Sequence, residues 1–122
     1  MKKIYLFLSV ILLGYSAFSQ TEVSLSDIAK HEGDSVVVKG SIFGTRYLVT
    51  AKGSPTFMNV GAKYPNDSLT LVIWGNDRSK FQGDPEKTYL NKTVQVSGKV
   101  EIYKGKPEII LYSDKQMMIL SN

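Results

Sequence analysis

Residues 92–111 read KTVQVSGKVEIYKGKPEIIL, with valines alternating with polar side chains and a glycine standing where one more valine is due. Residues 35–43, SVVVKGSIF, obey the same rule. A period of two sends successive side chains to opposite faces of a strand. Val94, Val96, Gly98 and Val100 therefore share one face, as do Val36, Val38, Gly40 and Ile42. A glycine inside such a run marks a bulge or a sharp bend. The pattern predicts two long strands, each bending at its glycine and each able to serve both halves of a small barrel.

The rest of the chain divides by period and by turn residues. In Thr21 to Glu32, Leu25, Ile28 and Ala29 fall on one helical face, Ser24 followed by Asp27 resembles a capping box, and Gly33 ends a short helix. GTRYLVTAKGSP, residues 44–55, reads as a long loop with some strand continuation, and Thr56 to Val60 as a short strand. GAKYPNDS is a turn, and Leu69 to Trp74 a strand apolar on both faces apart from Thr70. A turn at Asp77 to Phe81 is followed by Asp84, Pro85 and Glu86, which start a second short helix. The long strand from Lys92 to Tyr103, a strand from Pro107 to Tyr112 and a short apolar element from Gln116 to Leu120 complete the order. The predicted interior is Val36, Val38, Ile42, Met58, Val60, Leu69, Leu71, Ile73, Val94, Val96 and Val100.

Composition changes this picture at the N-terminus. Lys2 and Lys3, an apolar run from Ile4 to Leu13, and small residues at Ala17 and Ser19 ahead of Gln20 form the three parts of a secretory signal. The expected organisation is a signal peptide over residues 1–19 and one domain over residues 20–122. The protein is thus expected to be exported, periplasmic or extracellular, with no stable membrane insertion after the signal is removed. The chain has a formal charge of +4, which falls to roughly +2 once the two signal lysines are gone. With no cysteine in the chain, disulfides, thiolate metal sites and thiol nucleophiles are excluded together.

Five strands with a helix between the third and fourth make an all-β chain with one or two short helices, arranged as the five-stranded Greek-key barrel called the OB-fold. VVVKGSIF, TFMNVGAKYPNDSLTLVIWGNDRSKF and KTVQVSGKVEIYKGKPEIIL together resemble a family of small exported bacterial OB-fold domains of the nucleic-acid-binding type. Members of this type occur alone or attached to nucleases. The likeness covers roughly residues 33–120, and its most specific pieces are Phe57 to Gly61, Tyr64 to Asn66 and Tyr103 to Ile109. It implies the barrel and, as the usual role of the type, nucleic-acid binding.

No catalytic constellation is visible. His31 is the one histidine, and no glycine-rich phosphate loop leads into a helix. Nucleases of the staphylococcal type share this barrel, but no matching cluster of arginine and carboxylates is present. Glu101 and Glu108 face each other across a hairpin and read as solvated cross-strand partners beside lysines, not as a metal site. The expectation is a non-enzymatic binding module with no cofactor and no metal. An OB barrel takes its ligand across the second and third strands, between the loops that join strands one to two and four to five. The outward parity places Lys39, Phe57, Asn59, Thr70 and Trp74 on the surface, with Tyr47 and Lys52 in the first flanking loop and Tyr103, Lys104 and Lys106 in the second. Aromatic rings with interleaved lysines suit a single strand, whose bases stack and whose phosphates pair with ammonium groups. The expected partner is single-stranded nucleic acid or another polyanion. The rival readings are another exported protein, in an interaction or envelope-stress role, and an oligosaccharide.

Overall fold

The computed structural model describes residues 20–121, so the expected signal peptide lies outside the described residues. Seven strands run in chain order as β1 (Thr21–Val23), β2 (Ser35–Tyr47), β3 (Thr56–Val60), β4 (Leu69–Ile73), β5 (Thr93–Tyr103), β6 (Lys106–Ile110) and β7 (Met117–Ser121). Their lateral order is β1-β2-β3-β4-β6-β5-β7, and β2 also pairs with β5. That extra pairing closes β2, β3, β4, β6 and β5 into a ring, with β4 and β6 parallel and the other pairs antiparallel. The ring is the OB-fold barrel, to which β1 and β7 add at the outer edges of β2 and β5.

The two long strands do serve both halves. Residues Ser35 to Ser41 of β2 pair with Lys99 to Thr93 of β5, and from Ile42 onward β2 turns to β3. Strand β5 switches in the same way, pairing with β6 from Val100 to Tyr103. The glycines mark close approach and not a bulge, because the β2–β5 register runs unbroken through both. Gly40 lies opposite Val94 and Gly98 opposite Val36. A Cβ on Gly40 would stand 2.5 Å from Val60 Cγ1, and one on Gly98 would stand 2.5 Å from Ile109 Cγ2. Each glycine makes room for a side chain crossing from the other half. The register shift falls instead between Ile42 and Gly44.

All eleven predicted interior residues are buried. Ile28, Phe81, Tyr89, Ile109, Leu111 and Met117 join them, and Val23 and Leu25 pack against the cluster. Two helical segments pack on the barrel. The expected first helix is a 3-10 helix over Leu25–His31, preceded by the short strand β1 that periodicity did not reveal. It lays Leu25 against Gly40 and Gly61 at the end of the hairpin marked by Val60. At the other end, a 3-10 helix over Gly75–Lys80 and helix α1 (Pro85–Thr88) bring in Arg78 and Glu86. The Arg78 guanidinium donates to Thr56 Oγ1 and, at 2.9 Å, to Glu86 Oε1, and it stacks 3.6 Å from the centroid of the Tyr47 ring. Pro85 occupies the start of α1 as expected, although the Asp84 side chain makes no capping hydrogen bond and pairs with Arg78 and Lys87.

Candidate ligand groove

The outer surface of β2, β3, β4 and β6 carries a groove of ≈ 570 Å³. Register arranges its lining in cross-strand rows, as adjacent strands align their residues directly opposite one another. One row is Arg46–Phe57–Val72–Ile110, in which Arg46 and Phe57 line the groove and Val72 is buried beside them. The next is Gly44–Asn59–Thr70–Glu108–Glu101, which is polar throughout after the glycine. Beyond it Tyr103 pairs with Lys106 at the β5–β6 hairpin, whose two turn residues, Lys104 and Gly105, have φ of 50° and 81°. Positive φ at both positions defines the type I′ turn that suits a two-residue hairpin and favours glycine at the second position. The turn over residues 61–68 adds Lys63 and Tyr64, and the start of the β2–β3 loop adds Leu48.

One buried carboxylate organises the polar row. Asp67 has a fully buried side chain. Its Oδ1 receives Lys106 Nζ at 2.8 Å, and its Oδ2 receives Thr70 Oγ1 at 2.6 Å and Asn59 Nδ2 at 3.1 Å. Burial by itself would raise the Asp67 carboxyl, but the hydrogen bonds from Lys106, Thr70 and Asn59, with the charge of Lys106, hold it below the ordinary value of 3.8. Lys106 also donates to Pro65 O at 2.8 Å and lies 5.6 Å from the centre of the Tyr64 ring. The 61–68 turn is therefore tied to the hairpin, and Tyr64 stands 75% exposed at the groove's rim. Lys104 lies 5.4 Å from the centre of the Tyr103 ring. Glu108 is pushed up from the usual carboxylate value, first by burial and then by Glu101 facing it across the hairpin.

The structure brings six of the residues expected at a ligand face into this groove: Phe57, Asn59, Thr70, Tyr103, Lys104 and Lys106. The other four lie elsewhere. Tyr47 and Trp74 line a separate cleft of ≈ 510 Å³ with Gly53, Ser54, Gly75 and Asn76. Tyr47 is opposite the buried Thr56 and under Arg78, and Trp74 rests on Gly53 while remaining 41% exposed. Lys39 sits beside Gln95 on the other sheet, 3.6 Å from Glu22, and Lys52 is exposed in the β2–β3 loop. Arg46, Lys63 and Tyr64 are groove residues that periodicity did not select. Arg46 was hidden by the register shift after Ile42, and the other two by an irregular turn with no repeating pattern. Tyr64 was signalled only by its place in the Tyr-Pro-Asn turn.

Among the described residues, no group of three or more histidines and carboxylates is placed to hold a metal ion, and no helix is long and apolar enough to cross a membrane.

Comparison with solved structures agrees with the barrel. An aspartyl-tRNA synthetase of Leishmania major Friedlin superposes with a TM-score of 0.54 at 14% identity, over 89% of this chain and 22% of that one. One from Entamoeba histolytica gives 0.53 at 12% identity, over 99% and 24%. The OBody AM1L10, solved bound to hen egg-white lysozyme, gives 0.55 at 19% identity, over 88% and 100%. The chain thus corresponds to about a quarter or less of either synthetase but to the whole of the OBody. At these identities the likeness defines the fold. The chain is an OB-fold domain with a basic and aromatic groove across its third and fourth strands. No protein-family model matches the chain, and no curated protein matches it.

Proposed function

We propose that this protein is a non-enzymatic binding module that holds single-stranded nucleic acid, or a polyanion of like spacing, in the groove, and that it acts after export from the cytoplasm. The observation that carries the reading is the convergence of Phe57, Tyr64 and Tyr103 with Arg46, Lys63 and Lys104 on one concave face. Rings supply stacking platforms for bases, and rim cations follow the phosphates. Two of the structural neighbours carry this fold within aspartyl-tRNA synthetases, which is in keeping with an RNA-related use of the barrel. The basic start and apolar run of residues 1–19 support export.

The test is a titration of labelled oligonucleotides by fluorescence anisotropy at two salt concentrations. An extrinsic label is preferable to Trp74, which lies in the separate cleft. Binding is expected to weaken steeply with salt, and Phe57→Ala to lose about 1–3 kcal/mol of affinity, as for removal of one stacking ring. No binding of any single strand by the folded protein at low salt would overturn the reading. A second reading, recognition of a protein, is favoured by the OBody, which carries the same fold over its full length and is held on lysozyme. A protein partner would bind with little dependence on salt.

A further inference from the structure

The polar row of the groove carries a preference that its cations do not. Asp67 is buried, ionised and paired with Lys106, and an ionised carboxylate only accepts hydrogen bonds. Its two neighbours in the groove floor must therefore both turn donors toward it. Thr70 gives its hydroxyl proton, and Asn59 gives its amide nitrogen. That orientation is imposed chemically, and it leaves the Asn59 carbonyl oxygen directed away from Asp67, toward Gly44, where a Cβ would stand 3.3 Å from it. Asn59 is 7% exposed, and among the described residues nothing donates to its Oδ1. Thr70 likewise keeps only oxygen lone pairs for a ligand. Glu108, next in the row, has no donor among the described residues. The floor is thus three acceptors on three neighbouring strands, whose backbones run about 5 Å apart, with Phe57 beside them and with Lys106, the cation bound to Asp67, engaged by that carboxylate and by Pro65 O.

We infer that the groove distinguishes bases by their donors, taking guanine in preference to thymine or uracil at the position over Asn59, Thr70 and Glu108. This rests on the single-strand reading of the groove. Guanine presents two adjacent donors, N1–H and the N2 amino group, which a carboxylate accepts side by side, and the second amino hydrogen is free for Thr70 or Asn59. Thymine and uracil present one N–H between two carbonyl oxygens, and those oxygens meet the floor acceptor to acceptor. Adenine and cytosine, with one amino group beside a ring acceptor, fall between. A site whose buried polar groups are left unpaired by the wrong partner discriminates strongly against it.

The experiment measures anisotropy of labelled nine-nucleotide probes, all thymidine or with a single central guanosine, adenosine or cytidine, on the wild type and on Glu108→Gln. The wild type is expected to bind the guanosine probe at least about tenfold more tightly than the thymidine probe, the gap that one good bidentate contact makes. Glu108→Gln removes a negative charge and adds an amide donor, so it is expected to tighten the thymidine probe, loosen the guanosine probe and bring the ratio near one. A variant that had merely lost structure would weaken both probes together. Equal affinity of the wild type for all four probes, or a preference for thymidine, overturns the inference and leaves the single-strand reading standing. Absence of binding to every probe overturns both.

Discussion

Two kinds of glycine occupy the strands and turn that define the barrel, and they are sensitive to substitution for different reasons. Gly98 has ordinary strand geometry, but a Cβ there meets Ile109 at 2.5 Å, inside a core with no slack. Gly105 has open space around it and a φ of +81°. Gly98→Ala should lose about 1–3 kcal/mol through overpacking, and Gly98→Val more. Gly105→Ala should lose only about 1 kcal/mol, from the left-handed backbone. Urea midpoints compare them, and a Gly105 variant as damaging as Gly98→Val would refute the close-packing account. Asp67 offers a second test at this scale. Its carboxyl is lower in the folded state than in the unfolded chain, so its contribution is fully present above the ordinary value of 3.8 and is lost as pH falls through the folded value. Asp67→Asn should destabilise the protein at neutral pH by about 1–3 kcal/mol, the loss for buried donors left without an acceptor. The difference from wild type should shrink only below about pH 4, which acid titrations of the two proteins at fixed urea will reveal.

Among elements, the strands were legible because their periodicity follows from burial on one face. Thr56–Val60 coincides with its predicted bounds, and the other predicted strands of the barrel lie within a few residues of theirs. The exception is the second half of β2, where an extra residue between Ile42 and Gly44 reverses the parity of everything that follows. Arg46 is turned outward beside Phe57, and Tyr47 inward beside Thr56. No local signal announces that shift, since Gly44, Thr45 and Arg46 read equally well as loop. The short helix starts at Pro85 as expected, whereas the expected turn at Asp77 to Phe81 is a 3-10 helix over Gly75–Lys80, and nothing local signals the role of the two as a clamp on the barrel end. Arg78 joins Tyr47 and Thr56, at the facing ends of β2 and β3, to Asp84 and Glu86 at the start of α1. Arg78→Ala should cost about 3 kcal/mol by stranding Glu86 and Thr56. Arg78→Lys should recover less than half of that, because an ammonium group neither forks nor stacks as a guanidinium does. Thermal unfolding of the two variants checks the order.

For the whole molecule, the charge that matters is local. Arg46, Lys63 and Lys104 come from β2, the 61–68 turn and the β5–β6 turn, and only barrel closure gathers them at one groove. Lys106 is committed to Asp67 and Pro65, so its replacement would disturb the Tyr64 turn as well as the field. If each of the three remaining cations neutralises one phosphate, log affinity should fall with log salt at a slope of about −2, at roughly 0.7 per phosphate of a single strand. Lys63→Ala with Lys104→Ala should flatten that slope by about 1.4. A slope near zero, with binding retained, would move the assignment to a protein partner.

The amino-acid sequence by itself determined the alternation of buried and exposed positions, the approximate strand bounds, the two interrupted long strands and hence the barrel. Those properties depend on local geometry and on which side chains leave water. Tertiary structure alone decided what the surface residues do. It turned Tyr47 and Trp74 into a separate cleft, took Lys39 to the other sheet, and placed Asp67 under Asn59, Thr70 and Lys106. Such placements arise from a register shift and from contacts between residues as distant in the chain as Asp67 and Lys106. A periodicity of two carries no information about either.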